Sequence, residues 1–295
     1  MKVLEVHEEK TILVCLGATK SGTTWLYHQL RKHPSCKLRG IKEIHYFDIA
    51  EGAKSKKLIT KNINALKTVK AKIINGNQSI HLIERQKELR GWLNLVINKK
   101  DETCSYVDYL LDGMTPCQKL AADITPSYAL LPIERLREMV EMSHDVRFLY
   151  LMRDPVSRLW SNIRMAAQNG ADKKEDQARL ASVLLQKVIS GEATPSSKRS
   201  DYIGAIKKLL GAIPPERLCI MFYEELMTPA GFSSLCNFCD IPVLLPDFSE
   251  RVHVGIDLEQ TSEQNNLMRI HLQEQYEFVE NMFERLPAAW QANVM

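Results

Sequence analysis

No stretch of this 295-residue chain approaches the roughly 18–20 consecutive apolar residues that cross a bilayer, so no membrane-spanning helix is expected. Net charge is also scarce: 39 Lys and Arg against 36 Asp and Glu leave +3, too little to argue for nucleic acid. The first ten residues, Met1-Lys-Val-Leu-Glu-Val-His-Glu-Glu-Lys10, interrupt their apolar positions with acids and do not read as a secretory signal. Seven cysteines is an odd number, and without such a signal they read as free thiols in a reducing compartment, which implies a cytoplasmic protein. Cys236-Asn-Phe-Cys239 has the spacing of a redox or zinc pair, but no second pair completes four ligands. It shares an apolar helical face with Phe232 and Leu235 and reads as core. Internal repeats, low-complexity tracts and linkers are missing as well. What is present, 45% hydrophobic and 25% charged residues, is the composition of a soluble globular protein, read as one domain over residues 1–295.

Short apolar runs at 11–16, 120–124, 146–152 and 218–222 have the length and content of buried strands. Segments with helical spacing lie between them: 132–142, with Pro132 at its start, then 155–168, 174–190 and 201–210. This alternation predicts an α/β fold, a mostly parallel central sheet flanked by helices on both faces in a three-layer sandwich. Ligands in such sheets bind beyond the carboxyl ends of the strands. Residues 50–100 break the alternation and read as a helical insertion, with one amphipathic helix marked by Leu58, Ile63, Leu66, Val69 and Ile73 and another by Leu82, Leu89, Trp92 and Val96. The first carries lysines at 54, 56, 57, 61, 67, 70 and 72, which read as a solvated face or, alternatively, as a basic lid over an anionic ligand. Residues 260–285 read as a closing helix.

The strand at 11–16 runs into Gly17-Ala-Thr-Lys-Ser-Gly-Thr-Thr24 and then into the helical pattern of Trp25, Leu26 and Leu30. A glycine-bearing turn that opens a helix collects free N–H groups and the positive end of the helix dipole, and so suits an anion. The Walker ATP-binding pattern would need Lys at 23, directly after the second glycine. Position 23 is Thr; the lysine stands inside the loop, at Lys20. A phosphate cradle is expected whose cation arrives from another direction.

The strand at 146–152 ends in Arg153-Asp-Pro-Val-Ser-Arg-Leu-Trp-Ser161, with Pro155 starting a helix. Pro155 to Ser161 spans about 9 Å at 1.5 Å per residue, so Arg153 and the Ser161 hydroxyl can grip one phosphate from two sides.

Together these residues resemble the sulfotransferases that use 3′-phosphoadenosine 5′-phosphosulfate (PAPS). Lys20-Ser-Gly-Thr-Thr-Trp25 is similar to that family's 5′-phosphosulfate loop, and Arg153-Asp-Pro-x-x-Arg-x-x-Ser161 to its 3′-phosphate motif. Lys42-Glu-Ile-His-Tyr-Phe-Asp48 and Thr125-Pro-Ser-Tyr128 resemble the heparan-sulfate-type and related bacterial members. The resemblance implies PAPS as co-substrate, no metal, and in-line sulfuryl transfer to an acceptor hydroxyl or amine on a small molecule or glycan. It implies donor contacts from Lys20, Ser21, Gly22, Thr23, Thr24, Trp25, Arg153 and Ser161, with Tyr202 either on the adenine side or packed in the core. Lys20 would stabilise the leaving group and Glu43 would be the general base, with His45 as the second candidate. Because a carboxylate in water is a weak base, Glu43 is expected in a dry cleft that raises its pKa.

Two departures stand out. The heparan-sulfate enzymes carry Glu-Lys ahead of the Thr-Pro pair, where this chain has Asp123-Ile124; and the Arg/Lys-Lys-Gly loop of the small-molecule enzymes has only Arg251-Val-His-Val-Gly255 as a distant substitute. A Mg²⁺-dependent nucleotide kinase or NTPase and a non-catalytic nucleotide-binding relative are the competing readings. The missing lysine at 23 weighs against the first, and the presence of Lys20 with Glu43 weighs against the second.

Overall fold

The computed structural model describes residues 10–52, 55–77, 79–97, 103–252 and 256–294. Five strands, β1 (Thr11–Gly17), β2 (Cys36–Leu38), β3 (Leu120–Ile124), β4 (Val146–Met152) and β5 (Leu218–Phe222), form one sheet in the order β2-β3-β1-β4-β5. Every pairing is parallel. Helix α1 (Thr23–Lys32) follows β1, and α2 (Tyr46–Ala50), α3 (Ser55–Ile74), α4 (Ile80–Ile97) and α5 (Thr103–Leu111) separate β2 from β3. After β3 comes α6 (Ile133–Val140), and after β4 come α7 (Pro155–Gly170), α8 (Lys174–Ile189), α9 (Pro195–Ser200) and α10 (Tyr202–Ala212). Beyond β5 lie α11 (Tyr223–Leu226), α12 (Pro229–Phe238) and α13 (Ser262–Phe283).

The four apolar runs are β1, β3, β4 and β5, and the run at 11–16 extends one residue further to Gly17. They are legible because strands covered on both faces need apolar residues at every position. Along β1, Ile12, Val14 and Leu16 join one core, while Leu13 and Cys15 join another. The first core is completed by α2 to α8, α10 and α13, the second by α1 and α12, so the sheet is the middle of three layers. Cys236 and Cys239 are free and buried in the second core, as their apolar face requires. β2 has no such signature: three residues at the edge, paired to β3 alone.

Two consequences position the site. Adjacent strands β1 and β4 send their following helices, α1 and α7, to opposite faces, which opens a crevice at their carboxyl ends. The α3–α5 region steadies the chain that follows β2: Trp92 Nε1 donates to Ile44 O at 2.8 Å, Arg85 Nη1 to Gly40 O at 3.0 Å, and Arg39 Nε to Tyr109 O at 2.6 Å. The α3 lysines at 56, 57, 61, 67 and 72 are exposed and Lys70 is half-buried; Lys54 lies outside the described residues, as do positions 253–255. Among the described residues no helix is long and apolar enough to cross a membrane.

Candidate active site

The loop after β1 is pinned from both sides. Tyr150 of β4 closes over Gly17, where a Cβ would sit 2.8 Å from the ring, and Ala18 N donates to Leu151 O at 2.7 Å. Gly22 has φ 80°, and a Cβ there would come within 2.3 Å of the Tyr223 ring at the end of β5. Only glycine satisfies both the left-handed backbone and that contact. Gly22 caps α1 without a side-chain hydrogen bond and no acid occupies the first turn, so the amides there remain available for an anion. Ser21 and Thr23 are buried in the loop and Thr24 is half-buried.

Opposite the loop, β4 ends in Arg153. Its Nη1 lies 3.5 Å from Lys20 O, and its guanidinium sits 5.5 Å over the Tyr223 ring. Asp154 caps α7 by accepting from Ser157 N at 2.7 Å, and also accepts from Tyr276 OH and Asn293 Nδ2. The C-terminal segment thus clamps the turn that carries Arg153. Ser161 is half-buried one and a half turns along α7, and Arg164 follows three residues later with its Nε buried and unpartnered. Arg158, inside the same motif, points elsewhere: it is fully buried and donates to Ser200 Oγ.

The segment after β2 brings a third group. Lys42 Nζ donates to Glu43 Oε1 at 2.6 Å, His45 Nε2 lies 3.3 Å from Glu43 Oε2, and His45 Nδ1 lies 2.5 Å from Asp48 Oδ2. Ser127, after β3, donates to Asp48 Oδ2 at 2.6 Å. Asp123 is buried beneath, held by Thr125, Tyr106 and Tyr128 hydroxyls at 2.6, 2.7 and 3.1 Å. Lys20, Glu43 and His45 all have positive φ (75°, 60° and 55°), where a side chain other than Gly, Asn or Asp is uncommon. Strain of this kind, of order 1–3 kcal/mol each, persists where surrounding contacts over-determine it.

Residues 13–246, most of the chain, match the sequence profile of the sulfotransferase family. The chain belongs to that family. No protein of curated function matches its sequence significantly. Among solved structures it is similar to a sulfotransferase from Alicyclobacillus acidocaldarius, at 16% identity, TM-score 0.62, and coverage of 96% of this chain and 99% of the other. It is also similar to the sulfotransferase domain of the curacin biosynthetic pathway, at 20% identity, TM-score 0.48, and coverage of 81% and 76%. Family membership carries the general reaction, PAPS-dependent transfer of a sulfuryl group.

In this sulfotransferase the crevice is rich in cations. Burial, reinforced by Arg153, Arg164 and Lys42, pushes the Lys20 ammonium down from its ordinary pKa. Among the described residues no carboxylate lies at ion-pair distance from Lys20, Arg153 or Arg164. No group of three or more His, Cys, Asp or Glu among them is arranged to hold a metal ion.

The acid–base cluster departs from the expectation of a raised Glu43. Burial does push its carboxyl up, but the hydrogen bonds and charges of His45 and Lys42 outweigh that and hold it at about 2. Burial likewise pushes His45 down, yet Asp48 and Glu43 bring the imidazole up to about 9. Two of the expected donor contacts have buried rings. Trp25 is buried in the second core, stacked on Phe248 at 5.9 Å and edge-on to Phe232 at 6.0 Å. Tyr202 is fully buried; its OH donates to Arg153 O at 2.7 Å and accepts from Arg153 N at 3.1 Å. With no exposed ring face it braces the Arg153 backbone from behind. Tyr223, Arg164 and Asp48 were not singled out by sequence reasoning. Arg164 had a readable signal, its i+3 spacing from Ser161, whereas Tyr223 had none.

Proposed function

We propose that the crevice holds PAPS with its 5′-phosphosulfate on the loop 18–24 and its 3′-phosphate between Arg153 and Ser161, and that Glu43 takes the proton of an acceptor hydroxyl or amine. The observation that carries this reading is the convergence of Lys20 and Arg153, from neighbouring strand ends, with no acid at ion-pair distance from either among the described residues. Two such cations need anions, and a donor with anionic groups at both ends of its ribose supplies them. The fit extends to the unpartnered Arg164 Nε and the uncapped amides of α1.

Each side chain has a distinct task. Sulfuryl transfer, like phosphoryl transfer through a loose transition state, needs positioning and charge stabilisation more than covalent help from the protein. Lys20 meets the charge that grows on the bridging oxygen as its bond to sulfur breaks, so it contributes mainly in the transition state. Glu43 does not need a raised pKa. As sulfur bonds to the acceptor oxygen, that oxygen's proton becomes strongly acidic, and a carboxylate with a pKa of about 2 accepts it late in the step. His45, protonated at neutral pH, is not the base; it orients Glu43, and Asp48 with Ser127 orients His45.

This assignment sets the pH profile. The His45 contacts stabilise the fold fully below pH 6.5, the ordinary value of the group, and that contribution is lost as pH rises to about 9. The Glu43 contribution is complete above 4.5 and lost as pH falls through about 2. Activity is therefore expected to be flat between about pH 5 and 8 and to fall near pH 9. An acidic limb in kcat/KM with its midpoint between about pH 5 and 7 would instead indicate a base of raised pKa.

The reading is tested by incubating the protein with PAPS and a metabolite extract, then screening by mass spectrometry. Products heavier by one sulfuryl group, formed together with adenosine 3′,5′-bisphosphate and without added metal, are expected. Consumption of Mg-ATP with no response to PAPS would refute it.

A further inference from the structure

Arg199 is a crevice cation that the reading above leaves without a task. It sits on α9, six residues long and unusually well fixed. Pro195 occupies the first helical position, and Thr194 and Ser197 form a capping box. Two buried serines then fasten the helix to α7: Ser196 Oγ donates to Asn162 Oδ1 at 2.8 Å, and Ser200 Oγ accepts from Arg158. Arg199 lies next to the second anchor. Its side chain is half-buried, and its Nε is buried with no hydrogen-bond partner. A buried donor left unpaired is costly, which points to a partner supplied from outside the chain.

The carboxylates Arg199 faces are Glu43 and Asp48. Neither is at ion-pair distance, and both are already engaged, Glu43 by Lys42 and His45, Asp48 by His45 and Ser127. Arg199 therefore brings a guanidinium with no ion-paired carboxylate to the side of the crevice where Glu43 waits for the acceptor. The donor's own anionic groups are met elsewhere, by Lys20, Arg153 and Arg164.

We propose that Arg199 binds an oxyanion carried by the acceptor, so that the substrates are hydroxy (or amino) compounds bearing a carboxylate or phosphate, held by their anion on Arg199 and by the reacting group on Glu43. The inference rests on the donor and base assignment above and extends it to the class of acceptor. A neutral acceptor of the same shape would leave the guanidinium unpaired, and sites that bury a donor discriminate strongly against ligands that cannot satisfy it.

The test is calorimetry on protein saturated with adenosine 3′,5′-bisphosphate, titrated with a chain-length series of ω-hydroxy acids, their amides and the matching hydroxyalkyl phosphates. At the chain length that spans the two groups, the anionic compound is expected to bind about 10-fold or more tighter than its amide, the effect of one charge-assisted contact. Arg199→Gln should bring that ratio close to one while the bisphosphate affinity stays unchanged, and Arg199→Lys should keep part of it. Whether acid or phosphate gains more identifies the oxyanion. If no chain length favours the anion over the amide, or if the ratio persists in Arg199→Gln, the inference is wrong. Failure of the donor reading would look different: the wild-type protein would not bind the bisphosphate at all.

Discussion

Lys20→Met is expected to lower kcat for sulfuryl transfer by about 100- to 1,000-fold, the loss typical of removing one preorganised donor to developing negative charge. The substitution is chosen for its backbone. Lys20 has φ 75°, and Met carries the same cost there as Lys, so the comparison isolates the ammonium from the strain of the loop. Because the charge that Lys20 is proposed to meet grows only as the bond to sulfur breaks, adenosine 3′,5′-bisphosphate should bind the variant within several-fold of wild type. Rates under saturating PAPS, beside titrations of the bisphosphate, separate the two quantities. If affinity falls as far as rate, Lys20 is a ground-state phosphate contact and nothing more.

Glu43→Gln should cost about 10²- to 10⁴-fold in kcat, the range for losing a positioned proton acceptor, with donor binding retained. Gln keeps the shape and still accepts from Lys42, so the loop after β2 should survive. It removes one of the two carboxylates that hold His45, and the imidazole pKa should drop from about 9 while Asp48 keeps it above the ordinary value. NMR titration of the His45 ring reads that shift independently of activity. A variant with unchanged kcat would assign proton acceptance to another group; one that no longer bound the bisphosphate would show that the cluster is structural.

Much of this site was written in the sequence, and the reasons are local. Lys20, Gly22 and Arg153 sit at the ends of strands buried on both faces, and such strands announce themselves as unbroken apolar runs; the chain order then places their ends side by side. β2 stayed hidden because three edge residues have no pattern. The protonation states stayed hidden for another reason. Burial alone argues for a raised Glu43, and only the folded chain shows that Lys42 and His45 both close on it, or that Asp48 and Ser127, 79 residues apart in sequence, meet behind His45. Trp25 and Tyr202 occupy expected places in sequence but turn their rings into the core. Tyr223, which shields Gly22 and lies beneath Arg153, comes from a strand end that carries no motif.

In the proposed function the β1 loop and Arg153 together hold a nucleotide with phosphates at both 3′ and 5′ positions. Titration of wild type and Arg153→Ala with adenosine 3′,5′-bisphosphate, adenosine 5′-phosphate and Mg-ATP tests it directly. Wild type should bind the bisphosphate best and without metal, and Arg153→Ala should weaken it by about 10-fold or more while leaving the 5′-phosphate nearly unaffected. Equal weakening of both adenosine phosphates, or tight Mg-ATP binding with no response to the bisphosphate, would rule out a 3′-phosphate site at Arg153.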